Sequence, residues 1–157
     1  MPGRTRDFAY SDPYFNAGEI LLLPAVNQGI AGMADLDGRR LAVELGAQGH
    51  VEATLWSKRL ADLSIQPYGG ASEAVTAVLD GQADAALVDN ISGRLFLKDR
   101  ASAKPMLRRL PQPVTVEPYA FVVRIEDEML LEKVDAAILS LTTTGELETI
   151  INHWLGE

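Results

Sequence analysis

The sequence predicts an α/β domain built in layers, and three features carry that expectation. Apolar runs of strand length, at residues 19–26, 39–44 and 84–89, alternate with helix-length segments whose apolar residues recur on one face. Such alternation calls for right-handed crossovers and a layered sheet. The run Asp84-Ala85-Ala86-Leu87-Val88-Asp89 is apolar throughout its interior, as a strand covered on both faces must be. Glycine punctuates the segments, at Gly38, Gly46, Gly81 and Gly145, where a helix or strand has to stop.

Turn formers crowd residues 11–18 and lead into the strand at 19–26. A loop over 27–33, a short helical turn on Asp35, Leu36 and Asp37, and a strand over 39–44 come next. The following helix is predicted over 49–61, with Val51, Leu55, Lys58 and Ala61 or Leu60 on its stripe and Trp56 flanking it. A short strand at 64–68 precedes a helix over 73–80, for which Ser72 offers the N-cap and Ala74, Val75, Val78 and Leu79 the inward face. The 84–89 strand is followed by a helix over 91–98. Four prolines between positions 105 and 118 predict an extended return with little helix. A strand over 119–123 leads to a helix over 126–143 with Leu130, Val134, Ala137, Ile138 and Leu141 on one face. The final helix carries Leu147, Ile150, Ile151, Trp154 and Leu155.

Composition excludes several functions. A chain of 157 residues, 47% hydrophobic, can bury a core. Its 22 acidic residues against 14 basic ones give a charge of -8, which argues against nucleic acid as a partner. Without cysteine there is no disulfide framework, thiolate metal site or cysteine nucleophile. No phosphate loop, Ser-His-Asp pattern or metal-ligand spacing stands out, so no cofactor and no metal are expected. His50 and His153 read as ordinary helix residues. No apolar run approaches the roughly 20 residues that a membrane-spanning helix needs. The basic start, residues 1–7, lacks an apolar signal core, so either the chain is cytoplasmic or its natural beginning is missing.

In sheets of this kind a ligand sits beyond the carboxyl ends of the strands. Two such ends are marked here, Glu44-Leu45-Gly46-Ala47-Gln48-Gly49 and Asp89-Asn90. Between a strand and a helix, the segment Gly46-Ala47-Gln48-Gly49 offers free N–H groups and a helix dipole that attract an anion, or else it is a plain turn. Asp89 has a simpler reading as the N-cap of the helix that follows.

Six further stretches carry a resemblance. They are Arg4 with Phe8-Ala9-Tyr10-Ser11-Asp12-Pro13-Tyr14-Phe15, Asp35-Leu36-Asp37-Gly38-Arg39-Arg40-Leu41-Ala42-Val43 with Leu45-Gly46, and Gly81-Gln82-Ala83-Asp84-Ala85-Ala86-Leu87-Val88-Asp89. Glu117-Pro118-Tyr119-Ala120, Thr144-Gly145-Glu146-Leu147 and Trp154-Leu155-Gly156 complete them. In this order they resemble the family 3 solute-binding proteins that serve amino-acid ABC importers. The resemblance implies a type II periplasmic-binding-protein fold, here one complete α/β lobe plus a partial second lobe. It divides the chain into a lobe 1 remnant with the first crossing (1–18), a complete lobe 2 (19–115), and the second crossing with the rest of lobe 1 (116–157). Tyr14, Phe15, Glu117 and Tyr119 fall on the crossings as hinge residues.

The same resemblance assigns a ligand site. Arg4 matches the arginine that clamps a ligand carboxylate, a task suited to its planar fork of donors, with a solvated terminal arginine as the alternative. Asp89 matches the carboxylate that receives the ligand's ammonium group. Gly46, Ala47 and Gln48 complete the anion site, although the family usually carries hydroxyl residues at the Ala47 and Gln48 positions, which leaves room for a different polar ligand. Glu44 lies where side chains vary with ligand, and its charge favours cationic or polyhydroxyl ligands.

The partners implied are a small polar ligand, an amino acid above all, and an ABC permease. The implied location is periplasmic or extracellular, on a lipoprotein or a free protein. A sensory module outside a membrane kinase is the rival binding function. A cyclohexadienyl-dehydratase-like or lytic-transglycosylase-associated enzyme is the catalytic rival, with Glu44 as its one candidate acid or base. Because the family's lobe 1 begins upstream of the Arg4 position, the resemblance also implies N-terminal truncation. Weak ligand affinity, and a dimer or rearranged C-terminal segment formed through the incomplete lobe, are the expected results.

Overall fold

The computed structural model describes residues 7–100 and 102–156. The chain forms two compact units, Met1–Asn16 with Glu117–Trp154, and Ala17–Val116 with Leu155–Glu157.

The larger unit, Ala17–Val116 with the C-terminal residues, is a three-layer α/β sandwich. Its strands are β3 (Glu19–Pro24), β4 (Arg40–Glu44), β5 (Ser64–Tyr68), β6 (Ala85–Asp89) and β7 (Leu107–Arg109), in the order β5-β4-β6-β3-β7. β4 pairs in parallel with β5 and β6, whereas β3 runs antiparallel between β6 and β7. Side chains alternate across the sheet as a period of two requires. Ile20, Leu22, Ala42, Ala86 and Val88 point to the layer formed by α2 (Ala71–Leu79) and α3 (Asn90–Asp99). Leu21, Leu23, Leu41, Val43, Ala85 and Leu87 point the other way, to α1 (Gln48–Ser57) and the 3-10 turn Met33–Leu36. Leu21, Leu22, Leu41 and Leu87 are all 0% exposed. Burial of each such side chain stabilises the fold by about 1.5–3 kcal/mol.

Three expectations are corrected in this unit. Of the expected α1 stripe, Val51 and Leu55 are 51% and 46% exposed; the buried residues are Gly49 and Ala53, with Trp56 and the expected Leu60 packed beside them. Small residues face inward because the helix lies close to the sheet. A Cβ on Gly49 would stand 2.9 Å from the Leu87 carbonyl oxygen. Ser72 is not an N-cap: α2 starts at Ala71, and carboxylates serve its end instead, Glu44 accepting from Ala71 N–H and Glu73 from Gly69 N–H. The first strand stops at Pro24, where Asn27 N–H closes a turn onto the Pro24 carbonyl.

The smaller unit holds β1 (Phe8–Tyr10) paired with β9 (Val122–Arg124), and β2 (Phe15–Asn16) paired with β8 (Pro118–Tyr119), both antiparallel. Its helices are α4 (Glu128–Thr144) and α5 (Glu146–Leu155), divided by Gly145 at φ 76°, a left-handed position that suits glycine. The strand expected over 119–123 is split because Ser11 intervenes. Ser11 N–H donates to the Phe121 carbonyl, while Phe121 N–H donates to Ser11 Oγ. The expected face of α4 is also rotated. Leu131, Val134, Ile138 and Leu141 turn inward, whereas Leu130 is 50% exposed and Ala137 is exposed.

Candidate functional site

Connectivity creates a crevice in the larger unit before any side chain is considered. From β4 the chain crosses through α1 on one face to β5, then returns through α2 on the other face to β6, on the far side of β4. The loops leaving β4 and β6 therefore diverge to opposite faces, α1 on one and α3 on the other. Adjacent strands with diverging loops form a topological switch point, where α/β sheets bind ligands.

The loop after β4 supplies Gly46, Ala47 and Gln48 to one side of this crevice. Gly46 takes φ 81°, which brings the chain sharply round into α1. Ala47 is the N-cap of α1 and has no side-chain acceptor to offer, so no side chain caps the helix from that position. Among the described residues, the N–H groups of Gln48 and Gly49 make no hydrogen bond. They stand at the positive end of a ten-residue helix, an arrangement that attracts an anion. The Gly46 N–H is occupied, donating to His50 Nδ1 at 3.2 Å.

Asp89 stands at the end of β6, on the other side of the crevice. Its Oδ1 accepts the Ser92 N–H at 2.9 Å, so the carboxylate caps α3. Among the described residues Oδ2 accepts nothing, which leaves one anionic oxygen at the strand end while the other holds the helix.

Sequence reasoning passed over Glu19. It is 3% exposed at the start of β3, in register with Asp89, and its backbone N–H donates to Thr115 Oγ1 at 2.7 Å. Its Oε2 would lie 2.7 Å from a Cβ on Gly49, so the carboxylate abuts the first turn of α1. A buried carboxylate beside the positive end of an uncapped helix is favourably placed. The signal available in the sequence was an acidic residue opening an otherwise fully apolar strand.

Glu44 ends β4 on the α2 side. Its Oε2 accepts the Ala71 N–H at 3.1 Å. It opens onto a cavity of about 570 Å³ lined also by Gly69–Glu73, Ser92, Phe96, Asp99 and Arg100. Glu44, Glu73, Asp99 and Arg100 all border this cavity, and Arg100 lies over the Phe96 ring at 4.6 Å. This cavity includes Glu44 but neither Asp89 nor Gly46–Gln48.

Arg4 lies outside the described residues. Tyr14, Phe15, Glu117 and Tyr119 come together in the smaller unit. Phe15 pairs with Tyr119 across β2 and β8, their rings edge to face at 6.1 Å. Tyr14 N–H donates to the Tyr119 carbonyl, and the Tyr14 ring stacks on Phe121 at 4.9 Å. Glu117 N–H donates to Asn16 Oδ1. No group of three or more His, Cys, Asp or Glu among the described residues is arranged to hold a metal, and no described helix is long and apolar enough to cross a membrane.

The sheet order, the switch-point crevice and the second, smaller α/β unit define a type II periplasmic binding protein, present here in part. The chain belongs to the bacterial extracellular solute-binding proteins, family 3, whose pattern it matches over residues 1–157. It is 26% identical over 153 residues to the amino-acid-binding protein AabA of Dichelobacter nodosus, covering 98% of this chain and 59% of that protein. It is also 26% identical over 154 residues to the ABC transporter glutamine-binding protein GlnH of Bacillus subtilis, covering 98% and 54%. The L-cystine solute receptor of Neisseria gonorrhoeae, in its unliganded open conformation, shares the fold at a TM-score of 0.84 and 22% identity, over 100% of this chain and 64% of that one. The chain thus spans little more than half the length of the curated relatives it matches.

Proposed function

We propose that this chain is the ligand-gripping part of a solute-binding protein that captures an amino acid, or a similar small polar molecule, outside the cytoplasm for an ABC importer. One feature supports the reading: adjacent parallel strands β4 and β6 send their following loops to opposite faces, one loop carrying the uncapped start of α1 and the other Asp89. An α-amino acid carries a carboxylate and an ammonium a short distance apart. The exposed Gln48 N–H at the start of α1 suits the first charge and Asp89 Oδ2 suits the second. Arg4 adds a carboxylate clamp, and the β2/β8 ribbon with Tyr14, Phe15, Glu117 and Tyr119 is the hinge at which the chain passes between its units. Binding, with no bond made or broken, is the activity, in keeping with the relatives' names as binding proteins. Glu44, at the end of β4, favours ligands with a distal cation or hydroxyl groups.

The test is a titration of the isotopically labelled chain with amino acids, polyamines and small carboxylates to millimolar concentration, followed by amide chemical shifts. At least one amino acid is expected to move the amides of residues 46–50 and 89–92 together, with weak affinity. If no compound moves them, or if shifts gather on another face, the reading fails.

A further inference from the structure

We propose that a cavity between α3 and the edge strand β7 of the larger unit is a binding site for a small multivalent anion, a phosphate or a short dicarboxylate. It shares no residue with Glu44, Gly46–Gln48 or Asp89. Local geometry gathers its cations. Arg94, Leu97 and Lys98 are spaced i, i+3 and i+4, so they share one face of α3. Leu107 and Arg109 stand two apart in β7, so they share the face of the sheet that α2 and α3 cover. Lys104 joins them from the turn between the two elements, and together with Gly156 these residues line a space of about 260 Å³.

One wall is held firmly. Arg94 is 8% exposed, and its Nε and Nη2 both donate to the Gly156 carbonyl, at 3.2 and 2.9 Å. Gly156 in turn lies against the stem of Lys98, where a Cβ would stand 2.9 Å from Lys98 Cβ. Four of the chain's 14 basic residues thus border one small space, in a chain whose net charge is -8. No acidic residue among the described ones lines it. A concave wall of one sign focuses the field inside it, so the local potential opposes that of the chain as a whole. Guanidinium forks match the oxygens of a carboxylate or phosphate, and the lysines add point charges on flexible stems. Size narrows the ligand further. The space equals roughly nine waters at about 30 Å³ each, below the ~300 Å³ at which sites for larger organic ligands begin. A phosphate or a short dicarboxylate fits and a nucleotide does not. Leu97, Leu107 and the lysine stems offer an apolar floor to the methylenes of a dicarboxylate.

The test titrates sodium phosphate and sodium succinate into the isotopically labelled chain, with sodium chloride at equal ionic strength as the control. Phosphate, succinate or both are expected to move the amides of Leu97, Lys98, Leu107 and Arg109 with saturation, and chloride is not. Which of the two anions acts identifies the source of the oxyanion, and either supports the site. Lys104→Gln, on an exposed turn, is expected to weaken binding about tenfold, as the loss of one charged contact does. Adding Arg109→Gln is expected to abolish saturation; if that double variant loses the dispersed spectrum of the folded chain, Lys104→Gln alone decides. The proposal is overturned by the absence of a saturable shift, by an equal response to chloride, or by unchanged affinity in Lys104→Gln. A response confined to the variant Glu157→Gln also overturns it, because the cavity then belongs to the chain's own carboxylate.

Discussion

The two units obey the same layer rules to different degrees. In the larger unit both faces of a five-stranded sheet are covered, one by α2 and α3 and the other by α1, and its central leucines are fully buried. In the smaller unit α4 has one buried residue, Ile138, and α5 has none, although both helices carry clear apolar stripes. An apolar stripe records what a segment is built to pack against. Whether that partner exists in the chain is a separate fact, which the pattern does not contain.

The largest expected effect breaks this comparison at its core. Leu87 lies at the centre of β6 with 0% exposure, so Leu87→Ala is expected to cost about 3 kcal/mol through lost transfer energy and a residual cavity. Ile138→Ala in α4 is expected to cost about half as much, because that helix packs on a two-stranded sheet with open surroundings. Chemical denaturation read separately on each unit by amide signals checks both values. Equal costs would mean that the smaller unit is as well packed as the larger.

The fold class was legible because periodicity reports sheet and helix directly. The run 84–89 and the glycine at 145 needed no tertiary information. What escaped was set by distance between elements. Val51 and Leu55 look inward by hydrophobicity, yet the first turns of α1 approach the sheet so closely that Gly49 and Ala53 face it, with Trp56 and Leu60 packing farther along. Ser72 is a good capping residue by type, but Glu44, 27 positions before Ala71, already accepts from that helix end. In the candidate site, Gly46–Gln48 and Asp89 were legible as strand ends. Glu19 was not, because its carboxylate matters through register with Asp89 and contact with Gly49, neither of which is local in sequence.

Asp89 sharpens the comparison between structural and ligand roles within the larger unit. Loss of the cap in Asp89→Ala is expected to cost about 1 kcal/mol of stability. Asp89→Ser keeps an oxygen for the Ser92 N–H and is expected to hold stability near that of the wild type, while removing the negative charge. If Asp89 takes a ligand ammonium, both variants abolish the amide shifts described above. If it is a cap alone, Asp89→Ser binds as well as the wild type.

The smallest expected effect lies at the opposite end of the same strands. Arg40 Nη2 contacts Asp84 Oδ1 at 2.9 Å, and the Arg40 backbone N–H donates to Asp84 Oδ2 at 2.8 Å. The side-chain hydrogen bond from Arg40, assisted by its backbone N–H and charge, holds the Asp84 carboxyl below its ordinary value of 3.8. Because the folded carboxyl titrates lower than the unfolded one, its stabilisation is complete above about pH 4 and is lost as the pH falls through the folded value. The two side chains are 43% and 26% exposed, so solvent screens the pair and its contribution is modest. Asp84→Asn is therefore expected to lower stability slightly at neutral pH, with the two denaturation curves converging in acid. A difference that stays constant with pH would assign the effect to the neutral hydrogen bond with the Arg40 backbone, and the ion pair would then contribute nothing measurable.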